Sequence, residues 1–142
     1  MPKISAAVKA VIQYKGKFLI LKQNVKGEII WDLPGGKVEY KEDPYKTLYR
    51  EVKEETGLIV SIIKALGIFY FFRASDSDQI VITVFLCAID GSAEVDITKN
   101  PINEHLGEMK IDDFKWVTKK EFLTNEYKKP HESLRSLIER EL

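Results

Sequence analysis

Residues Gly36 to Leu58 have the sequence GKVEYKEDPYKTLYREVKEETGL, which carries the clearest structural signals in the chain. Asp43 and Pro44 are residue types preferred at the N-cap and at the first position of an α-helix. Gly57 is the type preferred just after a helix C-terminus, and the residues in between are mostly good helix formers. We therefore predict one helix over about 44–56.

Three carboxylates lie close together on this predicted helix. At 100° per residue, Glu51, Glu54 and Glu55 share an arc of about 100°. Like charges at this spacing repel one another, and the helix dipole disfavours anions near a C-terminus. A hard divalent cation such as Mg²⁺ would neutralise them; the alternative is a solvated face balanced by neighbouring Lys and Arg. A separate apolar stripe, suited to packing on a sheet, comprises Tyr45, Leu48, Tyr49 and Val52.

The defined residues continue beyond the helix at fixed spacing. Gly36 is followed after five residues by Glu42, and after seven more by Arg50-Glu51-Val52. One residue separates this run from Glu54-Glu55, and one more separates those from Gly57-Leu58. In every one of these positions the stretch resembles the Nudix box. The segments 31–39 and 114–117, with Glu121-Phe122, are similar to the family's flanking segments.

The resemblance implies an α/β/α sandwich around a mixed, curved, mostly antiparallel sheet. The hydrophobic and turn patterns themselves indicate an α+β fold, and 142 residues fit one domain over 1–142. We expect a loop at 34–36 and an irregular loop over 94–110. The predicted strands span 4–14, 58–72, 79–89 and 114–117, and one further strand starts with residues 18–21 and closes at a turn over 26–28. Two later helices are predicted, a brief one from 118 and a last one over 131–142.

The resemblance also implies an activity: hydrolysis of a nucleoside diphosphate linked to another moiety, with Mg²⁺ or Mn²⁺. Glu51 and Glu55 match the main metal ligands, Glu54 matches a further or water-mediated ligand, and Glu51 is the general base in some members. Gly35 matches the position whose carbonyl binds the metal, and Gly36 matches the position where the loop passes close to the helix. Arg50 matches the arginine that orients a catalytic glutamate, and Glu42 matches a position that supports the metal shell. Glu39 lies either in the same cleft or on the open surface.

Many family members recruit one more carboxylate from beyond the box, as base or ligand. The candidates here are Glu104, Glu108, Asp112 and Asp113. We favour Glu104 or Glu108 because both lie in the predicted irregular loop, which could fold over a substrate. Asp112 and Asp113 are expected to precede the 114–117 strand immediately.

Composition limits the partners. The chain has 22 Lys plus Arg and 22 Asp plus Glu, so its formal charge of +0 provides no general attraction to nucleic acid or to anionic membranes. The one cysteine, Cys87, is expected to be buried and inert. Without a recognisable signal peptide or a long apolar run, the expected location is cytoplasmic. The oligomeric state is open between monomer and homodimer.

The resemblance implies a small-molecule nucleotide substrate, and elimination narrows its class. The subfamily marks of ADP-ribose pyrophosphatases and dinucleoside polyphosphate hydrolases are missing around Ala74. The chain therefore looks most like the MutT-like branch, which acts on nucleoside triphosphates, including oxidised ones. Two alternatives stay open: a Nudix-like domain that senses or binds a nucleotide without turnover, and an RNA 5′-end pyrophosphohydrolase.

Overall fold

The computed structural model describes residues 1–25, 27–98, 109–124, 127 and 131–142. Within these ranges the elements in chain order are β1 (Ile4–Tyr14), β2 (Lys17–Val25), β3 (Glu28–Asp32), β4 (Gly35–Lys37), α1 (Pro44–Thr56), β5 (Val60–Phe72), β6 (Gln79–Ile89), β7 (Met109–Val117), α2 (Lys119–Phe122) and α3 (Glu132–Glu141).

Seven described strands form one mixed sheet in the order β3-β2-β1-β6-β5, with β4 paired to β1 and β7 paired to β2. The β1–β6 pair is parallel and runs from Ile4 opposite Gln79 to Gln13 opposite Ala88. All the other pairs are antiparallel. The expected α+β class with a mixed, mostly antiparallel sheet is confirmed.

Helices cover both faces of this sheet, because alternate strand residues point to opposite sides. On one face, Leu48 and Val52 of α1 are buried in a cluster with β1, β2 and β6 residues. On the other face, Phe122 of α2 and the apolar residues of α3 are buried in a second cluster. Cys87 is buried in the α1 cluster, as expected, and burial raises its thiol pKa to about 12.

The helix bounds agree closely with the sequence prediction, and β1 and β6 have the predicted bounds, whereas β3, β4 and β7 differ from it. α1 spans the predicted residues, and its cap is formed by the Asp43 Oδ1, which accepts from the Tyr45 N–H at 2.9 Å. The expected loop at 34–36 is wrong in part, because Gly35 and Gly36 belong to β4. β3 was not predicted, although it pairs with the strand just before it, with Val25 of β2 opposite Glu28. β4 depends on pairing with β1, which is distant in sequence.

The last strand is longer than predicted. β7 begins at Met109 and pairs with β2 along its length, so Asp112 and Asp113 lie inside a strand and do not precede one. The expected irregular loop over 94–110 therefore ends earlier. Glu104 and Glu108 lie outside the described residues. None of the helices in the described ranges has both the length and the apolar character of a membrane span.

Candidate active site

The short strand β4 brings the glycine pair against α1. Ala10 N–H donates to the Pro34 carbonyl at 2.9 Å, and the next pair in the antiparallel register is Lys9 opposite Gly35. Since hydrogen-bonded and non-hydrogen-bonded pairs alternate, Gly35 directs its polar backbone atoms away from β1. Its N–H donates to the Glu55 Oε1 at 2.7 Å. The register of β4 thus directs the Gly35 N–H toward α1, and the segment 33–36, here called the β4 loop, is hydrogen-bonded to that helix.

The second glycine lies against Glu51. A Cβ at Gly36 would stand 2.5 Å from the Glu51 Cδ, so any larger residue there would require the Glu51 carboxylate to move. The predicted close approach of Gly36 to the helix is therefore found, and its specific neighbour is the Glu51 carboxylate.

Arg50 gathers the carboxylates that the sequence placed around the site. Its Nε and Nη2 donate to the two oxygens of Glu42 at 2.9 and 3.1 Å, a bidentate pair. Its Nη1 donates to Glu51 at 3.1 Å and to Glu54 at 3.4 Å. The hydrogen bond from Arg50 is the main reason why the pKa of Glu42 falls to about 2. Glu39 also approaches, since its N–H donates to Glu42 at 3.2 Å.

Glu55 does not share the exposed arc expected for it. Its side chain is buried beneath the β4 loop, while Tyr45 and Tyr49, assigned to the buried stripe, are 55% and 40% exposed. The helix is rotated relative to the predicted stripe, so Leu48, Val52 and Glu55 face the sheet together. The separation into an apolar stripe and a carboxylate arc was wrong at Tyr45, Tyr49 and Glu55, whereas the predicted packing of Leu48 and Val52 on the sheet is confirmed.

Burial controls the proton affinity of the two inner carboxylates. Desolvation raises the pKa of Glu55 to about 8, although Lys9 and the Gly35 N–H favour its charged form. Desolvation also raises the pKa of Glu51, with Arg50 opposing it. A buried carboxyl with a raised pKa is favoured in its charged form when a cation binds beside it.

Two charged residues near this loop were not identified from the sequence. The Lys9 Nζ lies 3.1 Å from the Asp32 Oδ2, and both side chains are nearly fully buried. Burial by itself lowers the pKa of Lys9, but the carboxylates of Asp32 and Glu55 raise it by more than that. The net pKa of Lys9 is therefore above its ordinary value, and the ammonium stays charged. The available signal was a lysine inside an apolar strand, at a position that alternation places on a core face.

The donor set fits a hard divalent cation, although the site is not a closed cage. Among residues 1–25, 27–98, 109–124, 127 and 131–142, no group of three or more His, Cys, Asp or Glu is arranged to hold a metal ion. Arg50 binds Glu51 and Glu54 in this conformation. Mg²⁺ needs only one or two protein carboxylates and keeps waters or substrate phosphates as its other ligands. The carboxylates of Glu51 and Glu54, together with that of the buried Glu55, meet this requirement.

Stability of the metal-free protein should depend on pH through Glu55. The pKa of Glu55 is about 8 in the folded chain, against an ordinary 4.5, so the folded chain binds more protons between these values. Stability therefore falls as the pH rises through this window and levels off above it. Burial lowers the pKa of His131, which acts in the opposite direction below about 6.5.

We expect the melting temperature in EDTA to fall between pH 6.5 and 8, and Glu55→Gln to weaken this dependence. Thermal unfolding of both proteins across that range measures the effect. An equal slope in the two proteins would contradict the assignment to Glu55.

Comparisons with known proteins identify the family and the fold. The family model of the NUDIX domain matches residues 1–138. The putative mutator protein MutT4 of Mycobacterium tuberculosis is 36% identical over 66 residues, which are 46% of this chain and 27% of that protein. A MutT-like protein of Streptomyces ambofaciens is 33% identical over 84 residues, 59% of this chain and 51% of that protein.

The chain thus matches only a quarter to a half of the length of these two relatives. A solved structure covers more: the MutT protein from Methanosarcina mazei Go1 superposes with a TM-score of 0.79 at 25% identity, over 98% of this chain and 93% of that chain. Since the family match takes in nearly all of the sequence and the fold agrees with it, this chain belongs to the Nudix hydrolase family.

Proposed function

We propose that this protein hydrolyses a pyrophosphate bond in a nucleoside diphosphate derivative, with nucleoside triphosphates, including oxidised ones, as the preferred class and Mg²⁺ or Mn²⁺ as the cofactor. The observation that carries the proposal is the Gly35–Glu55 hydrogen bond of 2.7 Å beside the Arg50 carboxylate cluster. It brings the glycine loop and the helical carboxylates, which are far apart in sequence, into one site. The expected cytoplasmic location belongs to the same proposal.

The carboxylates supply the metal-binding part of this mechanism. Glu51, Glu54 and Glu55, with the Gly35 carbonyl, would hold the cation, which supplies positive charge for the phosphates and lowers the pKa of the attacking water. The Gly35 N–H fixes the buried Glu55. The β-strand register also turns the Gly35 carbonyl away from β1, which supports its proposed role.

Arg50 orients the outer carboxylates. Its bidentate pair with Glu42 fixes the guanidinium, and the remaining nitrogen reaches Glu51 and Glu54. A planar guanidinium fork suits this task, because a lysine ammonium could not hold two carboxylates in defined directions. Arg50 therefore supports the ligands through contacts seen in the folded chain.

The hydrolytic step needs one base. The water oxygen bonds to a phosphorus while the bond from that phosphorus to the bridging oxygen breaks, and the departing phosphate retains the electron pair. A carboxylate accepts the proton of the water. Glu51 and Glu104 are the proposed acceptors; Glu104 rests on the family resemblance alone.

A substrate panel tests this function. The panel contains nucleoside triphosphates, oxidised triphosphates, ADP-ribose, dinucleoside polyphosphates, sugar nucleotides and triphosphorylated RNA, each with Mg²⁺, Mn²⁺ or EDTA. We expect phosphate or pyrophosphate release from the triphosphates, abolished by EDTA. Release from RNA alone would support the 5′-end alternative. Nucleotide binding without any release would support a sensor and contradict the proposed hydrolysis.

A further inference from the structure

We propose that Lys9 and Asp32 are positioning residues, which hold the backbone from Leu33 to Gly35 so that the Gly35 N–H fixes Glu55 for metal binding. The inference rests on the proposed function, because it concerns the same site. It adds a role for a buried ion pair on the far side of the loop from the helix. Neither residue is proposed to touch the substrate.

The ion pair binds both polar backbone atoms of Leu33. The Lys9 Nζ donates to the Leu33 carbonyl at 3.0 Å. The Asp32 Oδ1 accepts from the Leu33 N–H at 2.7 Å, while its Oδ2 lies 3.1 Å from the Lys9 Nζ. The side chains of Lys9 and Asp32 are only 10% and 7% exposed. Water therefore has little access to replace these contacts.

The next backbone groups along the chain carry this constraint to the helix. The Pro34 carbonyl accepts from the Ala10 N–H at 2.9 Å. The Gly35 N–H then donates to the Glu55 Oε1 at 2.7 Å. From Leu33 to Gly35, each residue thus has a polar backbone atom held by a specific partner. The direction of the Gly35 N–H depends on all of them.

The attraction between the two charges by itself gives a weak reason for burying them here. Burying two charges carries a desolvation cost, and well-packed apolar replacements of buried ion pairs are often neutral or stabilising. Here an apolar pair would leave the Leu33 N–H and carbonyl without their side-chain partners, which is costly for buried groups. Lys9 and Asp32 therefore have a specific task, which is to hold a backbone segment.

The test uses a double variant, because Lys9→Met alone would leave the buried Asp32 charge unpaired. Lys9→Met/Asp32→Asn removes both charges and the donor to the Leu33 carbonyl, while the amide oxygen introduced at position 32 can still accept from the Leu33 N–H. One matched control removes an exposed ion pair, Arg140→Met/Glu141→Gln. A second control, Ile82→Val, loosens the core cluster that underlies α3 and includes Leu33, but it changes none of the polar contacts of the 33–35 backbone.

Two readouts are independent of activity: the hydrogen-exchange rate of the Gly35 amide in metal-free protein, and the Mn²⁺ dissociation constant from calorimetry. We expect Lys9→Met/Asp32→Asn to speed Gly35 exchange by about tenfold or more and to weaken Mn²⁺ binding by about 10- to 100-fold, the usual range for residues that orient metal ligands. The exchange rate of the Ile82 amide should stay close to wild type. Raising Mn²⁺ to saturation should restore much of kcat.

A purely structural role predicts a different result. In that case the double variant would resemble Ile82→Val, with a lower melting temperature but with Gly35 exchange and Mn²⁺ affinity within about twofold of wild type, and the inference would be overturned. If the wild-type protein itself bound no Mn²⁺, the proposed function would fail. The Gly35 exchange rate would still decide whether the ion pair holds the loop.

Discussion

Glu55→Gln is expected to lower turnover by about 10²-fold or more while the chain keeps its fold. The loss is in the range typical of removing a positioned catalytic group. Glutamine keeps a side-chain oxygen for the Gly35 N–H, but it cannot supply the negative charge that a cation requires. The same loss is expected for Glu54→Gln, the outer carboxylate on Arg50.

Glu55→Gln is not expected to destabilise the metal-free protein. Glu55 is buried, and desolvation raises its pKa to about 8, so at neutral pH the metal-free protein already holds this side chain mostly neutral. A neutral glutamine of the same shape should therefore leave the metal-free melting temperature unchanged or higher. Added Mg²⁺ should raise the melting temperature of the wild-type protein more than that of Glu55→Gln.

The measurement is kcat and KM with the best substrate of the panel, together with thermal unfolding in EDTA and in Mg²⁺. Glu139→Gln on the exposed face of α3 is the matched control, since it removes the same charge from a helix on the opposite face of the sheet from α1. Turnover within about twofold of wild type in both Glu54→Gln and Glu55→Gln would contradict the metal-site assignment. A clear loss of metal-free stability would instead favour a salt-bridged structural role.

The helix could be predicted closely because its signals are local. Asp43 and Pro44 begin α1, and Gly57 ends it in the left-handed conformation with φ 73°. These residues act within one turn of the chain, so no distant contact is needed to place them. The spacing of the carboxylates along α1 was predictable for the same reason.

The orientation of that helix was not predictable from its own residues. Hydrophobicity favours burial of Tyr45 and Tyr49 and exposure of Glu55. The β4 loop reverses this order, because the Gly35 N–H gives the Glu55 carboxyl a buried partner. The loop reaches α1 only through its pairing with β1, and a contact between residues 20 positions apart leaves no periodic signal in the sequence.

Lys9 shows the same limit on the opposite side of the loop. The alternation of β1 places it between Ala7 and Val11 on a core face, where a lysine conflicts with the apolar pattern. Such a conflict indicates a specific partner, since a buried charge is rarely left unpaired. The identity of the partners, Asp32 and the Leu33 carbonyl, could not be predicted from the sequence. They meet Lys9 only in the folded sheet, where β4 pairs with β1.

The two neighbouring glycines of β4 should fail in different ways when each is replaced by alanine. Gly35→Ala is expected to lower the free energy of unfolding by about 3 kcal/mol or more, from backbone strain and overpacking together. Gly35 has φ +147°, and an added Cβ would stand 2.1 Å from the Val8 carbonyl oxygen, which belongs to β1 and cannot move without disturbing the sheet.

Gly36→Ala meets a different neighbour. Its Cβ would approach the end of the Glu51 side chain, at 2.5 Å from Cδ, and that flexible group can turn away. We expect a stability loss of about 1 kcal/mol or less from this milder overpacking. Turnover should fall by about tenfold or more, because Glu51 leaves the position in which Arg50 holds it.

Urea unfolding and kcat/KM, measured on both variants, separate the two effects. The expected pattern is crossed: at temperatures where it remains folded, Gly35→Ala loses mainly stability, whereas Gly36→Ala loses mainly activity. Equal stability losses would mean that Glu51 is held as rigidly as the backbone of β1. Full activity in Gly36→Ala would mean that the position of the Glu51 carboxylate does not depend on its close contact with Gly36. The proposed role of Glu51 as a ligand or base positioned by this loop would then be wrong.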